Sequence, residues 1–376
     1  MIAAPAAVAL PKQSTANLSV TFEVMGEGLH GGAAFHGKVR AFVDAEPSLA
    51  SAVSDAMCLR SAAVFAEADR TGKWTPVSRP VLQQVGFGED EALIELPARS
   101  HPAYRLLTEY FAFPEKFNFV EFDLSALGAG ASACRTVTLH FVLRDLRADT
   151  PVAKLLEGIS ARNLRLGCTP VINLFKQRAD PIRLTHATSA YPVVADARRA
   201  FAYEVYSIDA VKMVRQTASG DAFIDFRPFY SLHHGEQPRD AEHYWFARHN
   251  AEVAQASPGY ETEISLVDID FEPSMPQTET LSLELTCSNR DLPHGLAFGL
   301  PGGDLHMEGN SAARAVAMLG RPTTTQRVRR GKAVQWRLIS HLALNHLSLV
   351  SSGLPAFKEM LRLYEPGRSA VSMRQI

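Results

Sequence analysis

The residues best equipped for chemistry are His233, His234, His243 and His249, with Glu242 among them. Imidazoles and a carboxylate are the usual ligands of zinc or iron, and an open position on such an ion activates water for hydrolysis. The spacing does not match the His-Glu-x-x-His pattern, which sets two imidazoles on one face of a helix, and residues 235–240 read as a loop. A histidine-bearing turn is the preferred reading. A metal-dependent hydrolase built on His233, His234 and His243 is kept as the alternative. His341 and His346 lie five apart on a helix-period stretch, about 140° round a helix, so they do not converge on one ion.

Other chemistry finds less support. There is no Gly-x-Ser-x-Gly elbow for a nucleophilic serine. Gly26, Gly28, Gly31 and Gly32 are read as a turn between two strands. Gly302-Gly303-Asp304 lacks the following helix that would aim backbone N–H groups at a phosphate. In Asn289-Arg290-Asp291-Leu292-Pro293 the expected arrangement is a turn. Asn289 and Asp291 cap their own backbone there, and Arg290 pairs with an acid. No catalytic, cofactor-binding or metal-ligating residue is assigned, and the chain is not read as an enzyme.

Bulk properties narrow the class. With 376 residues two domains are expected. A net charge of −2 argues against nucleic acid as a partner, because such proteins show a basic face or tail. Arg327, Arg329, Arg330 and Lys332 form one basic cluster in a Thr-rich loop. Cys58, Cys134, Cys168 and Cys287 are far apart and embedded in apolar runs, so they read as buried thiols of a reducing cytoplasm. Residues 1–10 lack the basic start of a leader, and no window is long enough for a membrane span.

The elements are mostly strands. Residues 1–17 read as a disordered lead-in. A first β-rich domain spans 18–148, with strands at 18–24, 38–43, 62–66, 117–124 and 135–143 and short helices after Pro47 and Pro102. Tyr110, Phe111, Phe113 and Phe117 crowd one segment and are expected to form a structural core motif, since each buried aromatic hides about 150–250 Å². A small-ligand platform around Tyr110–Phe122 is the alternative there. Thr150-Pro151 opens a connector helix within 149–165. A second β-rich domain follows at 166–335, with strands at 171–175, 182–184, 201–211, 223–230, 263–271 and 281–287 and a short helix at 310–319. The fold class is therefore α+β and β-rich: two mainly antiparallel β domains with short helices.

The chain closes with a helical pair at 336–364, before a tail at 365–376. Trp336, Ile339 and Leu342 recur at helical spacing, and Leu347 widens that face until little of it is polar. After Gly353 and Pro355, Phe357 and Leu361 supply a second stripe. So apolar a pair must be buried in its own domain or in another chain. Trp336, Ile339, Leu342, Leu347, Phe357 and Leu361 are the expected partner interface.

Six strings carry the reading further. Glu109-Tyr110-Phe111-Ala112-Phe113-Pro114-Glu115-Lys116-Phe117 resembles a signature of the TssF family, also called VasA or ImpG. Five more match in the family's order: Cys168-Thr169-Pro170-Val171-Ile172-Asn173-Leu174-Phe175, Tyr203-Glu204-Val205-Tyr206-Ser207-Ile208-Asp209, Phe226-Arg227-Pro228-Phe229-Tyr230, Leu285-Thr286-Cys287-Ser288-Asn289-Arg290-Asp291-Leu292-Pro293 and Trp336-Arg337-Leu338-Ile339-Ser340-His341-Leu342. Val193-Val194-Ala195-Asp196 departs from the family's Val-Val-Pro-Asp. Members of that family are longer at both ends, so the chain is expected to be a fragment lacking the N-terminal region and C-terminal end. The resemblance implies a non-catalytic baseplate subunit of the bacterial type VI secretion system, similar to the wedge proteins of contractile phage tails. It would work without a cofactor, pair with itself and with TssG-like and TssK-like subunits, and nucleate sheath and tube assembly around the spike. Its implied place is the cytoplasm, with the baseplate docked at the inner-membrane face and no direct membrane insertion.

Overall fold

The computed structural model describes residues 4–5, 8–24, 37–96, 102–127, 134–185, 187–217, 220–229, 243–268, 279–307, 309, 313–325, 327 and 353–364. The chain divides into two compact units, Met1–Val171 with Arg329–Ile376, and Ile172–Val328.

The first unit holds β1 (Ser14–Glu23), β2 (Lys38–Val43), α1 (Pro47–Cys58), β3 (Ser61–Ala68), β4 (Trp74–Pro76), β5 (Leu82–Gln84), α2 (Pro102–Ala112), β6 (Phe119–Asp123), β7 (Thr136–Arg144), α3 (Pro151–Glu157) and β8 (Leu164–Leu166). The strands make two antiparallel sheets, ordered β1-β7-β3-β4 and β5-β6-β2-β8. β7 explains the first sheet. Its Val137, Leu139, Phe141 and Leu143 alternate onto one face and are all buried. That face meets the second sheet where the Phe122 ring lies 5.1 Å from Phe22 and 6.4 Å from Phe141. Val53, Ala56 and Met57 of α1 join the same core.

The second unit holds β9 (Phe175–Arg178), β10 (Ile182–Arg183), β11 (Tyr191–Pro192), β12 (Glu204–Thr217), β13 (Gly220–Pro228), β14 (His243–His249), α4 (Ala251–Ala256), β15 (Thr262–Asp268) and β16 (Glu279–Ser288). They form one eight-stranded sheet, β10-β16-β12-β13-β14-β15-β11, with β9 also on β16. Only β13 and β14 run parallel among these pairs. β16 alternates as its sequence predicts: Leu281, Leu283, Leu285 and Cys287 are all buried, against half-buried or exposed neighbours. Burial pushes the Cys287 thiol up to about 11, with Asp209 adding to the effect. The last described element, α5 (Leu354–Leu363), is counted with the first unit.

Several expectations change. The first strand starts at Ser14, inside the expected lead-in, because Ser14 to Asn17 pair with β7. α3 is no connector: Ala153 and Leu156 belong to the first unit's core, and β8 pairs with β2. Thr150 caps α3 by accepting from the Ala153 N–H at 3.3 Å. No strand forms at 171–174; pairing starts at Phe175, opposite Cys287. The described residues 313–319 form no helix, and Val316 instead bridges Leu305.

Candidate partner interface

Of the six expected interface residues, Phe357 and Leu361 are described. Trp336, Ile339, Leu342 and Leu347 lie outside the described residues. α5 follows Gly353, with Pro355 in its first turn where a missing N–H leaves nothing unsatisfied. Phe357 is 38% exposed, Leu354 is also exposed, and Leu361 is half-buried. The helix therefore presents apolar surface. Just beyond its end Tyr364 stacks on Phe111 of α2, with centroids 6.3 Å apart and planes at 17°. Burial, reinforced by Tyr104, pushes the Tyr364 phenol up to about 12.

The aromatic motif departs from its expectation at Tyr110. Phe117 is buried, Phe111 and Phe113 are half-buried, and Tyr110 is 52% exposed. The most deeply buried members of the string are two charged ones, Glu109 and Lys116, each 1% exposed. Successive residues of a helix point about 100° apart, so turning Arg105 and Glu109 inward turns Tyr110 out. Glu109 Oε1 accepts the Leu93 and Ile94 N–H groups at 2.8 and 3.0 Å. Its Oε2 accepts from Lys116 Nζ and lies 3.7 Å from Arg105 Nη1. Arg105 Nη2 donates to the Phe87 carbonyl at 3.3 Å. Gly86, at φ +104°, lies so close to the Lys116 carbonyl that a Cβ would meet it at 2.9 Å. Around this polar knot runs a chain of rings that joins buried Phe117 to exposed Phe87 and Tyr110: Phe87–Phe117 at 5.1 Å, Phe117–Tyr110 at 5.7 Å, Tyr110–Phe111 at 5.5 Å, and then Tyr364. A cleft of about 300 Å³ in this unit is lined by residues such as Met57, Cys58, Val81 and Phe141, and by none from Tyr110 to Phe122.

In the second unit the Asn289–Pro293 string works as a clasp. Arg290, at φ +53°, donates from Nε to the Tyr203 carbonyl at 2.7 Å and pairs with Glu261 and Glu204. The expected acid pairing of Arg290 is present. The side chains of Asn289 and Asp291 act differently from expectation, because they reach distant segments: Asn289 donates to the Ala202 carbonyl at 3.3 Å, and Asp291 accepts from the Thr325 N–H at 2.7 Å. Arg327, from the basic cluster, pairs with Glu204 and Asp291. Glu261 lies in none of the six strings and Glu204 in a different one from Arg290, and the fold brings both to Arg290.

His243 and His249 sit at opposite ends of β14, six residues apart, so roughly 20 Å of strand separates them. The His243 ring lies 5.2 Å from that of Phe226. His233, His234 and Glu242 lie outside the described residues. Among the described residues no three His, Cys, Asp or Glu side chains come together as metal ligands. The glycine-rich stretch also holds two phosphate-loop spacings that its reading as a turn passed over, Gly26/Gly28/Gly31 and Gly32/Gly37 with Lys38. The first lies outside the described residues, and the second lacks the required context. Lys38 opens strand β2 and pairs with Glu121 at 2.8 Å, and no helix N-terminus follows it.

The sequence model of the family described as "Type VI secretion system, TssF" matches residues 2–376. A curated relative, the type VI secretion system component TssF1 of Pseudomonas aeruginosa, is 33% identical over 296 residues. The match covers 75% of this chain and 46% of that protein, so the chain spans about half the relative's length. The structure is also similar to a chain of the type VI secretion system TssK–TssF–TssG baseplate subcomplex solved by cryo-electron microscopy. That likeness has a TM-score of 0.64 and 27% identity, over 90% of this chain and 59% of that one. The order of the motifs, the two β-rich units and these likenesses agree, and the chain belongs to the TssF family of the type VI secretion system.

Proposed function

We propose that this chain is a structural subunit of the type VI baseplate wedge, assembling with TssG-like and TssK-like subunits to nucleate sheath and tube assembly around the spike. The observation that carries this reading is the likeness, over 90% of the chain, to a chain from a TssK–TssF–TssG subcomplex. The apolar surface of α5 supports it, because apolar patches on folded proteins mark contact sites. Catalysis is no part of the reading. The proposed contact residues are Phe357 and Leu361 on α5 and Trp336, Ile339, Leu342 and Leu347 before it. Self-association as a dimer within the wedge belongs to the same proposal. So does a cytoplasmic location with the baseplate at the inner-membrane face; among the described residues no helix is long and apolar enough to cross a membrane. Phe357→Asp and Leu342→Asp test the contacts. Each is expected to abolish co-purification with the two partner subunits, because an unpaired charge in an apolar interface costs several kcal/mol, about 3–5 by analogy with a broken buried pair. Undiminished recovery of both variants would remove these residues from the interface.

A further inference from the structure

The segment from Leu292 to Arg321 is a long connection whose described residues form no helix beyond one 3-10 turn at Pro293–Gly295. Loops of that length in compact units are usually functional or disordered. This one is tied at many points. Asp304 Oδ1 accepts the Leu300 N–H at 2.9 Å, and its Oδ2 accepts the Met318 N–H at 2.7 Å. These N–H groups hold its carboxyl below the usual range. Leu305 bridges Val316, and Gly303 at φ +107° lies so close that a Cβ would meet the Val316 carbonyl at 2.9 Å. His294 Nδ1 donates to the Pro322 carbonyl at 2.8 Å, and the Arg321 guanidinium lies 5.7 Å over the Phe298 ring. The described backbone is thus ordered by its own contacts.

Yet this tied loop turns its large side chains outward. Leu296, Phe298, Leu300, Leu305, Met307 and Leu319 are between 39% and 60% exposed. Single exposed apolar residues are ordinary, whereas six on one stapled loop mark a surface shaped for contact. Among the described residues, the charges left over at its edge are cationic; Glu308 lies outside them. Asp304 is taken up by the loop's own N–H groups, and Asp291 by the Thr325 N–H and Arg327. Arg314 and Arg321 of the same loop are exposed, and Arg321 lies over Phe298. We infer that the loop between residues 292 and 321 is a second docking surface, and that its occupant is an apolar segment of another subunit edged by carboxylates. The apolar side chains bind it, and the two arginines set its orientation and on-rate.

This inference rests on the assembly reading, and the experiment separates the two. The chain is co-expressed with its genome's TssG-like and TssK-like subunits, unaltered, as Leu300→Asp/Met307→Asp and as Arg314→Glu/Arg321→Glu. Melting curves establish that the variants fold. Met307 replaced by a photo-crosslinking amino acid identifies the peptide that touches the loop. Expected are a loss of partner recovery of at least about tenfold for the apolar variant, a smaller and salt-dependent loss for the charge variant, and a cross-link to a partner peptide containing Asp or Glu. Recovery of the partners by both variants at the unaltered level overturns the docking surface alone, as does a cross-link within this chain or to a second copy. Failure of the unaltered chain to recover either partner overturns the assembly reading and this inference with it.

Discussion

Replacing Lys116 with Met tests the polar knot beneath the aromatic string. The side chains are similar in length, so packing changes little, but Glu109 loses the ammonium that neutralises it. Both residues are 1% exposed, and the nearest other cation, Arg105 Nη1, is 3.7 Å from Glu109. Breaking one side of a buried pair costs about 3–5 kcal/mol. That lowers the folding equilibrium of the first unit by about two to three and a half powers of ten. Glu109→Met is expected to cost more, because the Leu93 and Ile94 N–H groups also lose their acceptor, at about 1–3 kcal/mol each. Lys116→Met with Glu109→Gln should recover part of the loss, since the amide still accepts from those N–H groups, while Arg105 loses its carboxylate and keeps the Phe87 carbonyl as acceptor. Urea unfolding gives the free energies, and hydrogen exchange at Leu93 and Ile94 localises them. A loss below about 1 kcal/mol for Lys116→Met, the level of an exposed pair, would refute the claim that a buried pair organises this region.

Further outcomes are expected elsewhere. Arg290→Met leaves Glu261, 2% exposed, without its guanidinium and should destabilise the second unit by about 3–5 kcal/mol by denaturant titration; an effect near zero would show that the clasp is dispensable. Gly259→Ala, at φ +100°, sets a Cβ 2.3 Å from the Ala200 carbonyl and should cost at least the roughly 1–3 kcal/mol of a strained backbone; a neutral melting temperature would contradict the close approach. His140 lies between Ser19 and Glu67, 2.8 Å from each, and stacks on Trp74. Burial pulls its pKa below the ordinary value of 6.5, although Glu67 opposes the shift. The unfolded chain then takes up a proton before the folded one, so this contribution to stability falls as pH drops below 6.5. Glu67 follows. Burial raises its carboxyl, but the Gly72 N–H and His140 hold it below 4.5, so its contribution is lost as pH falls through the folded value. His140→Gln should flatten the first part of that profile, and an unchanged slope between pH 5 and 6.5 would contradict the shift.

Much of the fold was legible where burial is one-sided. On β16 alternate residues meet core and outer face, and a period of two shows in the letters. Helix starts at Pro47, Pro102 and Pro151 were legible because proline marks the first turn. Reading failed where distant partners decide. The aromatics of residues 110–117 read as core because apolar size is visible in sequence. The partners that bury Glu109 and Lys116 instead, the backbone of Leu93 and Ile94, have no signature. The clasp was half legible: Arg290 announces a need for an acid, but Glu204 and Glu261 lie 86 and 29 positions away. The stretch 310–319 looked helical by its alanines, and its described residues follow the Asp304 staple instead. Two of the ordered strings that carry the family resemblance hold local geometry together, Glu109–Phe117 through Glu109 and Lys116 and Leu285–Pro293 through Arg290.

The central claim is that this chain joins a baseplate assembly through its own surfaces. The most direct measurement is co-purification of the chain with the TssG-like and TssK-like subunits of its genome, followed by mass determination of the complex. The account predicts a stable complex containing all three. Recovery of the chain alone, folded by circular dichroism while the two partners bind each other without it, would contradict it.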